Sequence, residues 1–154
     1  MRPSRHTTRR GIQVVRSVSR LPFDKGLDHL LYELDRFKGI YLSSGYEYPG
    51  RYSRWDIASV RPPLEIVAVD RDVHFRPLNR RGEILNRMLE PLLAEHPHWA
   101  RFERRGEELS GRLKPLEGLF PEEERSKQPS AFSILRALID EFRPLGEARL
   151  ALIG

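Results

Sequence analysis

Serine, arginine and aromatic residues lie close together in the segment 39–59. Serine hydroxyls can contact the ammonium or carboxylate group of an amino acid, and arginine recognises carboxylates. Ser43 and Ser44 are candidates for the first role, and Arg51 and Arg54 for the second. Flat apolar walls can come from the aromatic residues Tyr46, Tyr48, Tyr52 and Trp55. The set predicts a recess for a zwitterion that carries a ring. The same composition also fits an aromatic loop packed on a sheet with its arginines reaching water, and the residues alone leave both interpretations open.

Signatures of catalysis are sparse elsewhere. The segment "SGYEYPGR" has two glycines but neither the GxGxxG nor the GxxxxGK spacing of a phosphate loop. Ser43 and Ser44 have no recognisable general base. His96 and His98 follow a predicted helix end, and their spacing favours a turn over a metal site. Glu122, Glu123 and Glu124 form an acidic run typical of a solvated loop. The sequence therefore predicts neither a catalytic residue nor a metal ligand in this chain.

The composition indicates one globular domain. The chain has 154 residues, of which 39% are hydrophobic and 32% charged. It has no cysteine, so thiolate catalysis and cysteine-bound zinc are excluded and a reducing compartment is expected. We find no apolar run of about 18 residues and no secretory signal, which predicts a cytoplasmic protein without a membrane span.

The positive charge is concentrated at the N-terminus. The formal net charge is +5, and Arg2, Arg5, Arg9 and Arg10 contribute four positive charges within a segment that has no acidic residue. We predict a disordered basic tail over residues 1–10 and a nearly neutral body. The alternatives are an arm that contacts phosphates and a fragment of a transit peptide.

The hydrophobic pattern predicts an α+β fold with an antiparallel sheet of hairpins and about three helices. Strands are predicted at 11–18, 40–43 and 147–154, and hairpins at 64–78 and 99–113. The first helix has the apolar stripe Leu27, Leu30, Leu31, Leu34 and Phe37, with Asp24 or Asp28 near its start and Gly39 at its end. The second, capped by Asn79 and ended by His96 and Pro97, has the apolar face Ile84, Leu85, Met88, Leu89, Leu92 and Leu93. The third, capped by Ser130 and closed by Pro144 and Gly146, carries Phe132, Leu135, Leu138, Ile139 and Phe142, after a surface connection at 115–129.

Several collinear segments carry a family resemblance. The segments "IYLSSGYEYPGRYSRWDIA", "PPLEIVAVDRDVHFRPLNRRGEIL", "ERSKQPSAFSILRALIDEF" and "LALIG" occur in this order. Together they resemble the N-terminal region of anthranilate synthase component I, most closely the bacterial form fused to its glutamine amidotransferase. The resemblance covers residues 11–154 and implies an incomplete half of that fold, truncated before the chorismate-binding domain. The apolar segment 147–154 would then lie inside a larger sheet; the alternative is a terminal strand in a central position.

The resemblance implies a regulatory function in tryptophan biosynthesis. The family enzyme is a lyase that converts chorismate and an ammonia source into anthranilate with Mg²⁺, and its catalytic portion follows this region. The implied partners are the chorismate-binding domain, the glutamine amidotransferase domain and tryptophan as allosteric feedback inhibitor. This chain would hold no cofactor and would not be catalytic alone.

The resemblance also implies the site residues. The family's tryptophan site contains a Leu-Leu-Glu-Ser motif, which "YLSS" matches so that Ser44 takes the place of the motif serine. Ser43 replaces the motif glutamate, which removes a charge partner for the ammonium. Arg51 of the Gly-Arg-Tyr-Ser match, or Arg54, would steady the loop or the inhibitor carboxylate. The alternatives are the corresponding region of aminodeoxychorismate synthase and a small basic RNA-binding module whose arginines and tyrosines grip RNA.

Overall fold

A computed structural model describes residues 3–44, 55–116, 118 and 128–143. Within these residues the chain forms three helices and a series of antiparallel strands, which confirms the predicted α+β class. The strands are β1 (Ser4–Thr7), β2 (Gln13–Arg16), β3 (Gly39–Ser43), β4 (Asp56–Val60), β5 (Leu64–Val69), β6 (Asp72–Pro77), β7 (Trp99–Arg105) and β8 (Glu108–Leu113). The helices are α1 (Phe23–Leu34), α2 (Arg80–Ala94) and α3 (Ala131–Glu141).

The largest sheet has four antiparallel strands in the order β5-β6-β8-β7. Both predicted hairpins are confirmed, as β5 with β6 and β7 with β8. Asp70 in the first turn has a positive φ of 52°, and Gly106 in the second has a φ of 60°. Short polar residues and glycine tolerate this left-handed conformation, so the turn chemistry agrees with the fold.

One side of this sheet carries the hydrophobic core. Alternate residues of a strand point to opposite sides, so Val73 and Phe75 face α2 while His74 lies on the outer, charged side. The sheet unit is defined here as β5 to β8 with α2 and α3. Every buried hydrophobic residue of the described chain lies in it: Val73, Phe75, Leu89, Leu93, Trp99, Leu109, Leu113, Ile134 and Leu138.

The starts of α2 and α3 agree with the predicted caps. The Asn79 side chain accepts hydrogen bonds from the backbone N–H groups of Arg81 and Gly82. At α3, the side chain of Ser130 accepts from the N–H of Ser133, and the Ser133 side chain accepts in return. Both caps satisfy amides that the first turn of a helix leaves without a partner.

The buried side of α2 differs from the predicted one. Leu89 and Leu93 are buried as expected, but Ile84 is 46% exposed and Met88 is 37% exposed. Gly82 and Asn86 are buried in their place. Gly82 fits there because a Cβ at this position would overlap the carbonyl oxygen of Pro63.

Asn86 is the polar residue that fixes this rotation. Its side-chain amide donates to the carbonyls of Phe75 at 2.9 Å and Glu107 at 2.7 Å. These carbonyls lie at the strand β6 and at the turn before β8. A hydrophobicity pattern counts Asn86 as a surface residue, so the predicted apolar face was wrong by part of a turn. The same occurs in α3, where Ile134 is buried while Phe132 and Ile139 are largely exposed.

The hairpin unit, defined as α1, β3 and β4, precedes the sheet unit. β3 confirms the predicted strand, whereas β4 falls where a loop was expected. Helix α1 begins at Phe23 after Pro22 without a side-chain cap, and Asp24, one of the two acidic residues expected near its start, lies in the first turn. Gly39 opens β3 instead of ending α1, whose last residue is Leu34. A Cβ at Gly39 would overlap the side chain of Leu34 and the carbonyl oxygen of Ser59.

The N-terminal basic segment also differs from expectation. In place of a disordered tail over residues 1–10, Ser4–Thr7 forms β1 and pairs with β2. The hydroxyl of Thr8, which is fully buried, donates to Glu141 Oε1 at 2.8 Å, and the backbone N–H of Arg10 donates to the same oxygen at 3.3 Å. Glu141 is itself 5% exposed. A buried carboxylate at the end of α3 therefore holds the turn between β1 and β2.

A short joint connects the hairpin unit to the sheet unit. Arg61 follows β4 with a positive φ of 52° and precedes Pro62 and Pro63. Its backbone N–H donates to the carbonyl of Lys38 at 3.0 Å. Its guanidinium lies 3.9 Å from the centre of the Phe37 ring and 2.7 Å from Glu33 Oε2. These contacts hold a residue whose backbone conformation costs free energy on its own.

Three predicted features lie outside the described residues. They are most of the connection at 115–129, the helix stop at Pro144 and Gly146, and the strand at 147–154. Helix α3 ends at Glu141, before that stop.

Candidate functional site

The two predicted site serines lie at the end of the hairpin where the chain passes from β3 to β4. Ser43 is paired with Asp56 in the register of the two strands. Beyond this pair, the backbone N–H of Ser44 donates to the carbonyl of Trp55 at 2.9 Å. The N–H of Trp55 donates in return to Ser44 Oγ at 3.3 Å. The Ser44 hydroxyl therefore lies just beyond the last paired residues of β3 and β4, and Ser44 is partly exposed.

The pleat of the hairpin places Ser43 on the side that faces α1. Tyr41, Ser43, Asp56 and Ala58 share this side because alternate residues point the same way. The phenol of Tyr41 donates to Asp56 Oδ1 at 3.0 Å. This hydrogen bond orients the Asp56 carboxylate next to the exposed Ser43.

A hollow of about 210 Å³ opens between α1 and this side of the hairpin. Its lining is mostly apolar and includes Leu27 and Leu30 of α1, with Tyr41, Asp56 and Ala58 of the hairpin. Apolar walls with a few polar groups are typical of small-molecule sites.

The structure brings together only part of the predicted set. Ser43 and Ser44 are adjacent at the hairpin end, and Trp55 is 51% exposed beside them. Arg51 and Arg54 lie outside the described residues, as do Tyr46, Tyr48 and Tyr52. Their roles remain predictions.

Sequence reasoning missed Asp56 and Tyr41 as members of the site. The glycine- and tyrosine-rich stretch before the segment "WDIASV" predicts a loop that extends over it, whereas the structure has β4 there. In β4, Asp56 and Ala58 point to one side of the hairpin and Ile57 points to the other. This alternation is the sequence signal for β4, and it places Asp56 opposite Ser43. The arrangement can offer a carboxylate, two hydroxyls and an apolar hollow to one ligand.

The histidine pair has a structural role. The ring centres of His96 and His98 are 4.9 Å apart. Nδ1 of His98 lies 2.8 Å from the hydroxyl of Ser133, and the N–H of His98 donates to Nδ1 of His96 at 3.3 Å. Burial, and secondarily the nearby charge of His98, lowers the pKa of His96. The pair links the end of α2 to the start of α3, as expected for a turn.

Two features of the described residues bear on metal and membrane binding. No group of three or more His, Asp or Glu side chains among them is placed to hold a metal ion. No helix in the described ranges has the length and apolar character needed to span a membrane. The acidic run Glu122 to Glu124 lies outside these ranges.

The hairpin unit, with an apolar hollow and an exposed apolar side, is typical of one part of a larger protein. Comparison with known proteins agrees: the chain is 35% identical over all its 154 residues to an anthranilate synthase of Azospirillum brasilense. The chain spans 21% of that relative's length. This match confirms the resemblance inferred from the sequence and fits the N-terminal fragment of such a protein. Neither the comparison with known protein families nor that with solved structures gives a match.

Proposed function

We propose that this chain is the N-terminal regulatory part of an anthranilate synthase and carries its tryptophan feedback site. The observation that carries the proposal is the 35% identity over the whole chain to an anthranilate synthase of which it spans 21%. The reaction, from chorismate and an ammonia source to anthranilate, would belong to the rest of that polypeptide, including its chorismate-binding and glutamine amidotransferase domains. The Mg²⁺ of the reaction would be bound there as well.

Tryptophan would bind at the end of the hairpin where the chain passes from β3 to β4. Ser44 would contact the amino-acid head, and Arg51 or Arg54 would contact the carboxylate or steady the loop. Two observations support this assignment: the Ser44 hydroxyl stands outside the packed core, and an apolar hollow begins beside the same strand pair.

Asp56 would supply the carboxylate that the motif loses at Ser43. The two residues face each other across the strands, so a carboxylate on β4 reaches the same space as a glutamate on β3 would. Tyr41 donates to one oxygen of Asp56. Because a carboxylate offers about four acceptor positions, it can bind an ammonium group while keeping such contacts.

Feedback would then operate through two conformations of the whole enzyme. Tryptophan lowers turnover only if it binds the less active conformation more tightly, and coupling of this kind is typically about 1–3 kcal/mol. The isolated chain has no second conformation of the enzyme to select, so we expect weak tryptophan binding to it.

The first test uses the chain alone. Purified chain mixed with chorismate, Mg²⁺ and ammonium is expected to give no anthranilate fluorescence, and isothermal titration with tryptophan is expected to give weak binding at best. Anthranilate formation by this mixture contradicts the assignment of the reaction to other parts of the polypeptide.

The second test uses the complete enzyme. This chain replaces the matching fifth of the Azospirillum brasilense anthranilate synthase, and the tryptophan concentration for half inhibition is measured. Ser44→Ala and Asp56→Asn are each expected to raise it about tenfold, which corresponds to about 1.4 kcal/mol for a hydrogen bond to a charged group. Ser110→Ala and Asp72→Asn are the matched controls on the charged side of the other sheet. Equal inhibition of all four variants would refute the proposed site.

A further inference from the structure

The side of the hairpin that faces away from α1 is apolar and uncovered. Ile40, Leu42 and Ile57 share this side, and they are 50%, 48% and 54% exposed. A two-stranded hairpin covered by one helix on one side leaves half of its apolar residues in water. Adjacent half-exposed residues of this kind mark an interaction surface.

This side continues into two concave regions at the border with the sheet unit. A hollow of about 340 Å³ begins at Ile40 and Ser59 and is lined further on by Pro62, Leu64 and Leu78. A groove of about 610 Å³ adjoins it, with Phe37, Pro62 and Leu78 in its lining. The ion pair between Lys38 and Glu65 also lines the hollow. The hairpin side, the hollow and the groove adjoin one another and are together called the docking surface.

Four cationic side chains line the groove. Its lining includes Lys38, Arg61, Arg80 and Arg81. Three of these cations have carboxylate partners: Lys38 pairs with Glu65, Arg61 with Glu33 and Arg80 with Glu83. Arg81 donates to the carbonyl of Arg61 at 3.3 Å and has no ion pair within the described part of the chain. With these ion pairs counted, one net positive charge remains at the groove, and Arg81 carries it.

We propose that the docking surface binds an apolar segment with acidic flanks from the remainder of the anthranilate synthase polypeptide. The inference rests on the proposed function, and the chain's 21% share of its relative leaves roughly four fifths of such a polypeptide to supply this segment. Apolar side chains of the segment lie on Ile40, Leu42 and Ile57, and its acidic residues lie near Arg81.

The positive charge argues against a second copy of this chain as the occupant. In a two-fold symmetric contact each surface meets itself, so Arg81 of one copy lies in the same contact as Arg81 of the other. Like charges brought together in this way disfavour the contact. An acidic segment instead complements the unpaired guanidinium of Arg81.

The test compares the isolated chain with the chimeric enzyme described above. The chain has no cysteine, so a single Ile40→Cys substitution introduces one thiol on the docking surface. Val69→Cys is the matched control, because Val69 is an apolar residue 61% exposed on the sheet unit. The rate of maleimide labelling at each position is read by peptide mass spectrometry.

We expect the thiol at position 40 to react at least about tenfold more slowly in the chimera than in the isolated chain, because the docked segment excludes the reagent. The thiol at position 69 is expected to react equally fast in both. Adding Arg81→Glu to the chimera should restore part of the reactivity at position 40, whereas Arg16→Glu on β2 should not. Equal rates at position 40, or equal protection at both positions, overturn the proposal.

Two measurements on the isolated chain remain informative if the chimera fails to fold. Ile40→Ser is expected to leave the thermal midpoint within about 2 °C of the parent, because half of the Ile40 surface is already exposed to water. A large decrease overturns the proposal. Sedimentation is expected to show a monomer, and a dimer that Ile40→Asp disperses would assign the surface to a second copy and overturn it.

Labelling and feedback are independent readouts of the chimera. Protection at position 40 without tryptophan inhibition supports docking and contradicts the feedback site. Inhibition without protection supports the feedback site and refutes docking through this surface.

Discussion

The sheet unit and the hairpin unit contain similar local elements but differ in burial. Helix α2 buries Gly82, Asn86, Leu89 and Leu93 against its sheet, whereas none of the 12 residues of α1 is buried. The buried hydrophobic residues of the described chain all belong to the sheet unit. An apolar stripe thus produces a helix in both units, but only the sheet unit provides enough surface to cover it.

This difference indicates where the free energy of folding comes from. Four strands with two helices exclude water from a continuous core, while a two-stranded hairpin is marginally stable in water. The hairpin unit is held by its joint at Arg61 and by surface ion pairs, each of which contributes little. We expect substitutions in the two units to have very different effects on stability.

The largest contrast is expected between two leucines. Leu93 is fully buried in α2, and Leu42 is 48% exposed on β3. Leu93→Ala should lower the free energy of unfolding by about 2–5 kcal/mol, because it leaves a cavity in the core. Leu42→Ala should change it by less than about 1 kcal/mol in the isolated chain. Urea denaturation followed by circular dichroism measures both, and similar losses would contradict the comparison.

A polar residue of the core should have the next largest effect. Asn86→Leu removes two hydrogen bonds and leaves the carbonyls of Phe75 and Glu107 without that donor. We expect a loss of about 2–3 kcal/mol, at roughly 1–1.5 kcal/mol for each bond. Asn79→Ala, which removes a helix cap at the surface, is expected to cost about 1 kcal/mol and serves as the comparison. An Asn86→Leu variant as stable as the parent would show that α2 can do without this contact.

The contact between the N-terminal turn and α3 tests whether residues outside the sheet unit add to its stability. Thr8→Val removes the hydroxyl that donates to the buried carboxylate of Glu141. Because this acceptor is charged, we expect a loss of about 1.5–2 kcal/mol. Thr7→Val, at an exposed position of β1, is the matched control and should be nearly neutral. If both variants unfold at the same urea concentration as the parent, the N-terminal turn contributes nothing to the core.

The smallest expected effect is a pH dependence. Burial lowers the pKa of His96 in the folded chain below its ordinary value of about 6.5. The folded state then binds fewer protons than the unfolded state, so stability is full above pH 6.5 and falls as the pH decreases. We expect His96→Asn to reduce the difference in unfolding free energy between pH 7.5 and 5.5. His29→Asn on α1 is the matched substitution in the hairpin unit. A pH dependence that His96→Asn does not alter would contradict this role.

Much of the sheet unit could be predicted from the sequence. Its hairpins have turn residues between strand formers, and both helix caps were recognised from Asn79 and Ser130. Here local preference and tertiary packing favour the same structure. The rotation of α2 was missed because Asn86 bonds to carbonyls distant in sequence. The strand β1 was missed for a similar reason, since Thr8 contacts Glu141 across a separation of 133 residues.

The candidate site was predictable only in part. The positions of Ser43 and Ser44 follow from a strand that the pattern identifies. Asp56 could not be placed opposite Ser43 without recognising β4, and five residues of alternating character after a sequence rich in glycine and tyrosine are a weak signal. Cross-strand neighbours depend on register, which a sequence read residue by residue does not give.

The joint at Arg61 has a mechanical consequence. Two successive prolines have fixed φ angles, and Arg61 is held in a left-handed conformation by Lys38, Phe37 and Glu33. Such a connection resists bending, so a tilt of β4 is transmitted to the first residues of β5 instead of being absorbed between them. A ligand that shifts the Ser43–Asp56 end of the hairpin would therefore move a lever whose fulcrum is at residues 61–63.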